Sequence, residues 1–344
     1  MWRFFRASLV ASACFAAGAL ADEPKGLREA IERGDYPKTN AVLVVRGGKL
    51  VYEGYFGAGG PELLNDTRSA MKSVTSLAIG LAIADGRIES VKQPAFPMLA
   101  DLAPFKNDSA AKQAITVEDL LTMSSALDCN DDEDASPGNE DRMHEQQSWT
   151  RWAVDLPTNP GFKRDSWRYC TAGAFLLGQI VQRAVGMPVD RYIEQHLFAP
   201  LGIREWEWPR SPTGEVMTGG GLRLRARDAA NLVWMLADHG KWDGKQIVPA
   251  AWIDQALTVR RAAYPGFGYG YLFWQHEYKT ACGTTTGWYM AGNGGNAILV
   301  FRELNSAVVI ARANYNTRGM HQQTEQMLVR YVLPPLMCGQ EPKS

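Results

Sequence analysis

Ser69 and Lys72 stand three residues apart in the stretch Ser69-Ala70-Met71-Lys72. On a helix, positions i and i+3 share one face about 5–6 Å apart at Cβ, so this spacing predicts a hydroxyl and an amine side by side. A serine hydroxyl is a poor nucleophile until a base is held within hydrogen-bond reach, and lysine can be that base. The chemistry implied is acyl transfer to serine. The run Ala70, Met71, Val74, Leu77, Ala78, Leu81, Ala82 is apolar at helical spacing, Asp66 or Thr67 can cap it, and Asp85-Gly86 can end it. Ser69 would then occupy the first turn, where the helix dipole and free N–H groups favour developing negative charge.

Spacing alone is weak support, because a Ser-x-x-Lys match arises roughly once by chance in a chain of this length and composition. Ser109-Ala110-Ala111-Lys112 is a second copy, in a polar stretch with no apolar run after it; it reads as a helix cap or turn. Two further segments strengthen Ser69. Tyr169-Cys170-Thr171 precedes the apolar helical stretch Ala174 to Val185, so a phenol there could relay the Ser69 proton to a leaving group. Gly292-Asn293-Gly294-Gly295-Asn296 precedes the strand Ala297 to Phe301, where glycine lets an acyl oxygen approach the backbone. Trp288 and Tyr289, just before that turn, are the best placed of the aromatic residues to line an apolar pocket.

These segments, in this order, resemble the serine β-lactamases and penicillin-binding proteins, in the branch holding class C enzymes, related esterases and 6-aminohexanoate-oligomer hydrolases. Ile115 to Ser125 and Thr218-Gly219-Gly220-Gly221-Leu222 also look like recurring segments of that superfamily, so the likeness covers nearly the whole mature chain. It implies Ser69 as the acylated nucleophile, Lys72 as general base and Tyr169 as proton relay. It further implies an oxyanion hole from the N–H groups of Ser69 and Asn296, and a substrate-facing set of Thr171, Asn293, Gly294 and Gly295. Two departures stand out. Thr171 replaces the more usual Asn or Ser, and Asn293 stands where β-lactamases carry the lysine of Lys-Thr-Gly. The missing lysine favours an ester or amide substrate without a carboxylate anchor.

A free lysine titrates near about 10.4, so a base working at neutral pH must lie far below that. The segment Ala70 to Ala84 holds no acidic side chain, which is compatible with a lowered value. The resemblance leaves open a β-lactamase, a D-Ala-directed peptidase, and a sensor that acylates once without turnover.

Met1 to Arg6, the apolar stretch Ala7 to Ala17 and the small residues up to Ala21 read as a secretory signal peptide, residues 1–21, which would send the mature chain to the periplasm or outside the cell. Its loss would remove Arg3 and Arg6 and no acid, making the formal net charge of −1 two units more negative; this argues against nucleic acid. No stretch is long and apolar enough for a stable membrane span. Four mature cysteines, Cys129, Cys170, Cys282 and Cys338, show no metal-ligand spacing and allow three disulfide connectivities. The family likeness brings the loops after Ser125 and before Tyr169 together, favouring Cys129 with Cys170 and leaving Cys282 with Cys338.

No cofactor or metal is expected. His144, His196, His239, His276 and His321 form no zinc motif, and each reads as an ordinary surface or core residue. The acidic run Asp128 to Asp134 lacks the glycine and glutamate of a calcium loop and reads as solvated. Thr218 to Gly221 lacks the residues of a phosphate loop and reads as a turn at the cleft edge.

Strand patterns occur at Ala41–Val45 and Leu50–Tyr55, split by Gly47-Gly48, and again at 270–275, 284–290, 296–302 and 307–311, before a helix at 322–332. The middle is mostly helical in pattern, clearest at 118–123, 172–185 and 227–239. The fold class expected is α+β, β-lactamase-like: an antiparallel sheet built from both chain ends (22–90 and 258–344), flanked by helices, with an inserted helical domain (91–257). The small-molecule ester, amide or peptide substrate would bind in the cleft between.

Overall fold

A computed structural model of the protein describes residues 23–339, so the signal-peptide reading lies outside the described residues. Chain ends meet in one sheet. Strands β1 (Thr39–Arg46) and β2 (Lys49–Tyr55) form a hairpin whose two turn residues, Gly47 and Gly48, have φ of 55° and 76°. A two-residue turn with both φ positive matches the strand twist and favours glycine at both places. From the other end come β3 (Arg261–Ala262), β4 (Phe267–Tyr269), β5 (Trp274–Thr280), β6 (Gly283–Gly292), β7 (Asn296–Phe301) and β8 (Ser306–Arg312). The order is β2-β1-β8-β7-β6-β5-β4-β3, antiparallel throughout, with Val44 opposite Val308 and Leu299 also opposite Val308.

Central strands are buried on both faces, which explains their near-continuous apolar runs. Val42, Val44, Leu299 and Ile310 face helix α1 (Leu27–Glu32) and the C-terminal helices through Leu27, Met327, Val332 and Leu333. Leu43, Val45, Ile298 and Val309 face the larger core on the other side.

That larger core is organised by α2 (Lys72–Ala84) and α3 (Thr171–Val185), which pack on each other. Every residue of α2 from Lys72 to Ala82 is buried; a helix apolar all round belongs inside a large core. Gly80 lets it lie directly on Trp252, since a Cβ there would meet the indole at 2.3 Å. Helix α4 (Ala226–Ala237), although it falls within 91–257, packs on β1, β7 and β8 and serves the sheet.

The strand pattern at 270–275 is displaced. The chain turns at Gly270–Phe273, where the Gly270 N–H donates to Phe273 O (2.8 Å) and Leu272 has φ 60°, and β5 begins only at Trp274. The cause is tertiary: Ser73 Oγ of α2 donates to Leu272 O at 2.5 Å, taking a carbonyl a strand would need. The last helix begins at Met320 as α5 (Met320–Met327) and continues through Cys338. Ser109 is a cap, its Oγ accepting the Lys112 N–H at 3.1 Å, and the buried Lys112 ammonium donates to Lys106 O and Val154 O, each at 3.0 Å.

The disulfides pair Cys129 with Cys170 (Cα–Cα 5.4 Å), the pair the family likeness implied, and Cys282 with Cys338 (5.5 Å), the pair left by elimination. Two outcomes follow from this packing. Gly80→Ala should lower stability by about 1–3 kcal/mol by overpacking, read as a fall in urea midpoint; an unchanged midpoint would mean α2 can slide off Trp252. Replacing Cys129 and Cys170 by alanine should cost about 4 kcal/mol, the loop-closure value for a cross-link spanning 41 residues, also read by denaturation.

Candidate active site

Ser69 lies in a 3₁₀ turn (Arg68–Met71) that leads into α2. Arg68 holds φ 52°, a conformation uncommon for a side-chain-bearing residue, and the surroundings fix it. Its N–H donates to Asp66 Oδ1 (3.0 Å), its guanidinium pairs with Asp66 Oδ2 (3.1 Å) and lies over the Tyr315 ring, and its carbonyl accepts from Gly221 N–H (3.1 Å). Thr67 Oγ1 donates to Leu222 O at 2.6 Å rather than capping the helix. The Thr218–Gly221 segment is a turn, as read, with Gly220 N–H donating to Met217 O (3.2 Å), but it lies behind the serine as a support and not at the cleft edge. It is buried through Gly220, with Thr75 Oγ1 donating to Thr218 O and Thr218 Oγ1 to Phe175 O, tying α2 to α3.

One turn on, Lys72 Nζ donates to Ser69 Oγ at 2.8 Å and lies 5.0 Å from the centre of the Tyr169 ring. The side chain is only 2% exposed. The lowered lysine pKa expected from the sequence is not what surrounds it. Burial pushes the value down, but Tyr169, Glu140 and Asp131 push it up, and the net direction is upward. The acids come from 129–140, far from α2 in sequence, which is why a reading of Ala70–Ala84 could not include them.

Those acids also hold the tyrosine. Asp131 N–H donates to Tyr169 O (2.8 Å), Asp131 Oδ2 accepts from Thr171 N–H (2.6 Å) and Asp131 Oδ1 from Glu140 N–H (2.9 Å), while Thr171 Oγ1 donates to Glu140 Oε2 (2.9 Å). The Cys129–Cys170 disulfide staples the same two segments. Thr171 is fully buried and engaged with Glu140, so it supports the wall instead of facing substrate. Burial and the neighbouring Glu140 push the Asp131 carboxyl up to about 6, with Lys72 opposing. Burial likewise raises Tyr169, and Lys72 and the Ser69 hydroxyl pull it back. The run 128–134, read as solvated, thus turns Asp131 into the site, and Asp132, though exposed, lines the same cavity, while residues 133–135 stay outside.

The opposite wall is the β6–β7 turn. A Cβ at Gly292 would fall 2.0 Å from Thr67 O and 3.1 Å from the Ala70 N, so only glycine allows this approach to the serine turn. Asn293 follows, facing the pocket, its side chain locked by Asn316 through bonds of 2.6 and 2.8 Å. Among the described residues, neither the Ser69 nor the Asn293 N–H has an acceptor. Gly294 and Gly295 turn away, toward Tyr315, Arg312 and Thr324. Asn296 lines the wall and orders it: its carboxamide donates to Asn293 O (2.8 Å) and Asp66 O (3.3 Å) and accepts from Arg312 N–H (3.1 Å).

Between these walls lies a cavity of about 570 Å³. Of the two aromatic candidates, Tyr289 lines it and Trp288 packs toward Gly270 instead. The organising ring is Trp274, stacked on Tyr169 (centroids 5.9 Å), Tyr264 (5.7 Å) and Tyr289 (6.4 Å). Beyond it the cavity continues between β5, β6 and α5, past Tyr278, Leu299 and Leu328, with His276, His321 and Glu325 on its rim. Asp131, Asp132 and Glu140 line the end near Ser69. His276 and His321 are therefore cavity residues, which strand alternation at β5 could have signalled for His276 alone. Among the described residues no group of three or more His, Cys, Asp or Glu is disposed to hold a metal, and no helix is long and apolar enough to cross a membrane.

Comparison with known proteins agrees with this architecture. The Beta-lactamase family model matches residues 31–332. A 6-aminohexanoate-dimer hydrolase of Paenarthrobacter ureafaciens is 27% identical over 267 residues, 74% of this chain but 65% of that protein's length. Among solved structures, EstCE1, a hydrolase with promiscuous acyltransferase activity, superposes with a TM-score of 0.69 at 15% identity, covering 88% of this chain and 97% of that one. A D-stereospecific amidohydrolase from Streptomyces gives 0.66 at 18%, covering 92% and 98%. With the sheet, the serine turn leading into the helix of Lys72, and the family match in agreement, the chain belongs to the Beta-lactamase family.

Proposed function

We propose that the protein cleaves an ester or amide through an acyl-Ser69 intermediate, and the observation carrying this is the 2.8 Å contact from Lys72 Nζ to Ser69 Oγ at the floor of an open cavity. Ser69 Oγ attacks the carbonyl carbon while its proton passes to the Lys72 amine. Tyr169, against both groups, returns that proton to the leaving alcohol or amine as the bond breaks. Water then attacks the acyl carbon by the reverse proton path, releasing the acid and free Ser69. The oxyanion rests on the Ser69 N–H and, we infer, on that of Asn293 in place of Asn296, because Gly292 seats its neighbour beside the serine turn.

Substrates with neutral or amine-bearing acyl groups suit a wall made of Asp131, Asp132 and Glu140. A 6-aminohexanoate dimer, named for the Paenarthrobacter relative, fits that description. The two disulfides support an exported protein working in an oxidising compartment.

Intact-mass time courses with an activated short-chain ester should show a transient acyl adduct and turnover, both lost in Ser69→Ala. A persistent adduct would point to a sensor, and no adduct would remove the catalytic reading. Because the neighbouring charges raise the Lys72 pKa, the amine form is scarce at neutral pH and becomes more abundant as pH rises. The ratio kcat/KM should therefore keep climbing above pH 7, and a plateau already reached below pH 7 would contradict Lys72 as the base. Gly292→Val should reduce kcat by about 10²-fold or more by displacing the oxyanion wall, measured beside its urea midpoint to separate unfolding from lost catalysis.

A further inference from the structure

We propose that Asp131 and Glu140 are positioning residues for acyl transfer: a carboxylate clamp that fixes the Tyr169-Cys170-Thr171 segment at the start of α3 and sets the charge on Lys72. The proposal rests on the acyl-Ser69 reading above and adds two residues to it.

Four hydrogen bonds build the clamp. Asp131 grips Tyr169 through its N–H and Thr171 through Oδ2, holds the first residue of the short helix Glu140–His144 through Oδ1, and Glu140 completes the ring by accepting from Thr171 Oγ1. The ring closes around a segment whose middle residue, Cys170, caps α3 and is already bonded to Cys129, two residues before Asp131. Asp131 accepts two backbone N–H groups, one on each carboxylate oxygen, which an amide with its single acceptor oxygen could not do, and a second acid stands beside it against the cost of bringing like charges together. What compensates is Lys72, whose ammonium is buried against Ser69 Oγ and Tyr169.

Charged and titratable groups facing this centre are Lys72 on α2, Tyr169 before α3, Asp131, Asp132 and Glu140 on 129–140, and Tyr264 before β4, whose hydroxyl donates to Asp132 at 2.8 Å. Of the acids, Asp131 and Glu140 act on both Lys72 and Tyr169. Each favours the ammonium on Lys72 and disfavours the phenolate on Tyr169, so the pair holds every proton of the catalytic centre more tightly. The acid limb of the rate profile is consequently placed by these two carboxylates.

Glu140→Gln keeps an acceptor for Thr171 Oγ1 while removing one charge, and Asp131→Asn removes the other. The measurement is kcat and KM from pH 5 to pH 10 on an activated ester, with urea midpoints for each variant. Glu140→Gln should raise the ratio of kcat/KM at pH 6 to that at pH 9 by about tenfold, the size expected for loss of a close charge partner, through kcat and not KM. Glu140→Asp should return the profile toward that of the parent. A uniform loss at every pH with the limb unmoved would reduce the clamp to a structural tie and overturn the proposal, as would an unchanged profile. If Glu140→Gln does not fold, Asp131→Asn, which also gives up one of its two backbone contacts, should move the acid limb in the same direction, read with its urea midpoint beside it. If the parent protein itself forms no acyl adduct, the catalytic reading fails first, and the two failures are told apart.

Discussion

Lys72 puts a positive charge where there is almost no water, on a helix whose residues 72 to 82 are all buried. Taking an ammonium out of water costs several kcal/mol even after relaxation, and no other residue of α2 can offset it, because the helix carries no acid. The compensation is gathered from elsewhere: the Ser69 hydroxyl, the face of Tyr169, and the field of Asp131 and Glu140. The active cleft therefore exists only when residues 129–140 and 169–171 are joined across the mouth of α2. The disulfide, the Asp131 hydrogen bonds and the Thr171–Glu140 bond all serve that joining. On the far side, Gly292 brings the sheet into contact with the same turn, so the charge is enclosed between two independently built walls.

A comparison within the chain shows how much depends on the surroundings. Ser109 and Lys112 repeat the spacing of Ser69 and Lys72, and Lys112 is equally buried. Its ammonium is satisfied by two backbone carbonyls and lies over Phe96, and burial lowers its pKa. Ser109 spends its oxygen on the Lys112 N–H as a helix cap. Lys72 instead bonds the serine hydroxyl itself, because the 3₁₀ turn rotates Ser69 toward the amine and the cleft leaves that hydroxyl half-buried rather than capped. Identical spacing thus gives a structural knot in one place and a serine hydroxyl open to the cleft in the other. The difference lies in whether the backbone N–H or the lysine claims the serine oxygen.

What could be read from the sequence was whatever local chemistry decides. Gly47-Gly48 announces its hairpin because two positive φ values are needed together, and the apolar spacing of α2 and α3 announces helices because their burial is nearly complete. Strand β5 was misplaced by several residues because a single tertiary bond, Ser73 to Leu272 O, overrides local preference. Asp131 and Glu140 were invisible for a related reason. Nothing in an acidic, polar stretch distinguishes the one carboxylate that folds back against Tyr169 from its solvated neighbours until the partner segment is in place. Asn293 and Asn296 were legible as a pair at the turn, but their division of labour depends on which side of Gly292 the serine turn packs.

Charge also bears on which acyl groups the cavity can accept. Among the described residues, those lining it include no lysine or arginine, whereas Asp131, Asp132 and Glu140 stand at the Ser69 end and Glu325 at the other. A substrate carboxylate near Ser69 would meet like charge on that wall, and the Lys72 ammonium beside it is already engaged by Ser69 Oγ. Repulsion between unit charges about 4 Å apart is worth roughly 4 kcal/mol at the effective dielectric of a protein surface, enough to discriminate strongly between an anionic and a neutral acyl chain. The stacked rings of Trp274, Tyr264 and Tyr289 provide the complementary attraction for apolar substance. The cavity thus joins an aromatic face to an acidic wall beside the serine, and two of those acids also raise the Lys72 pKa.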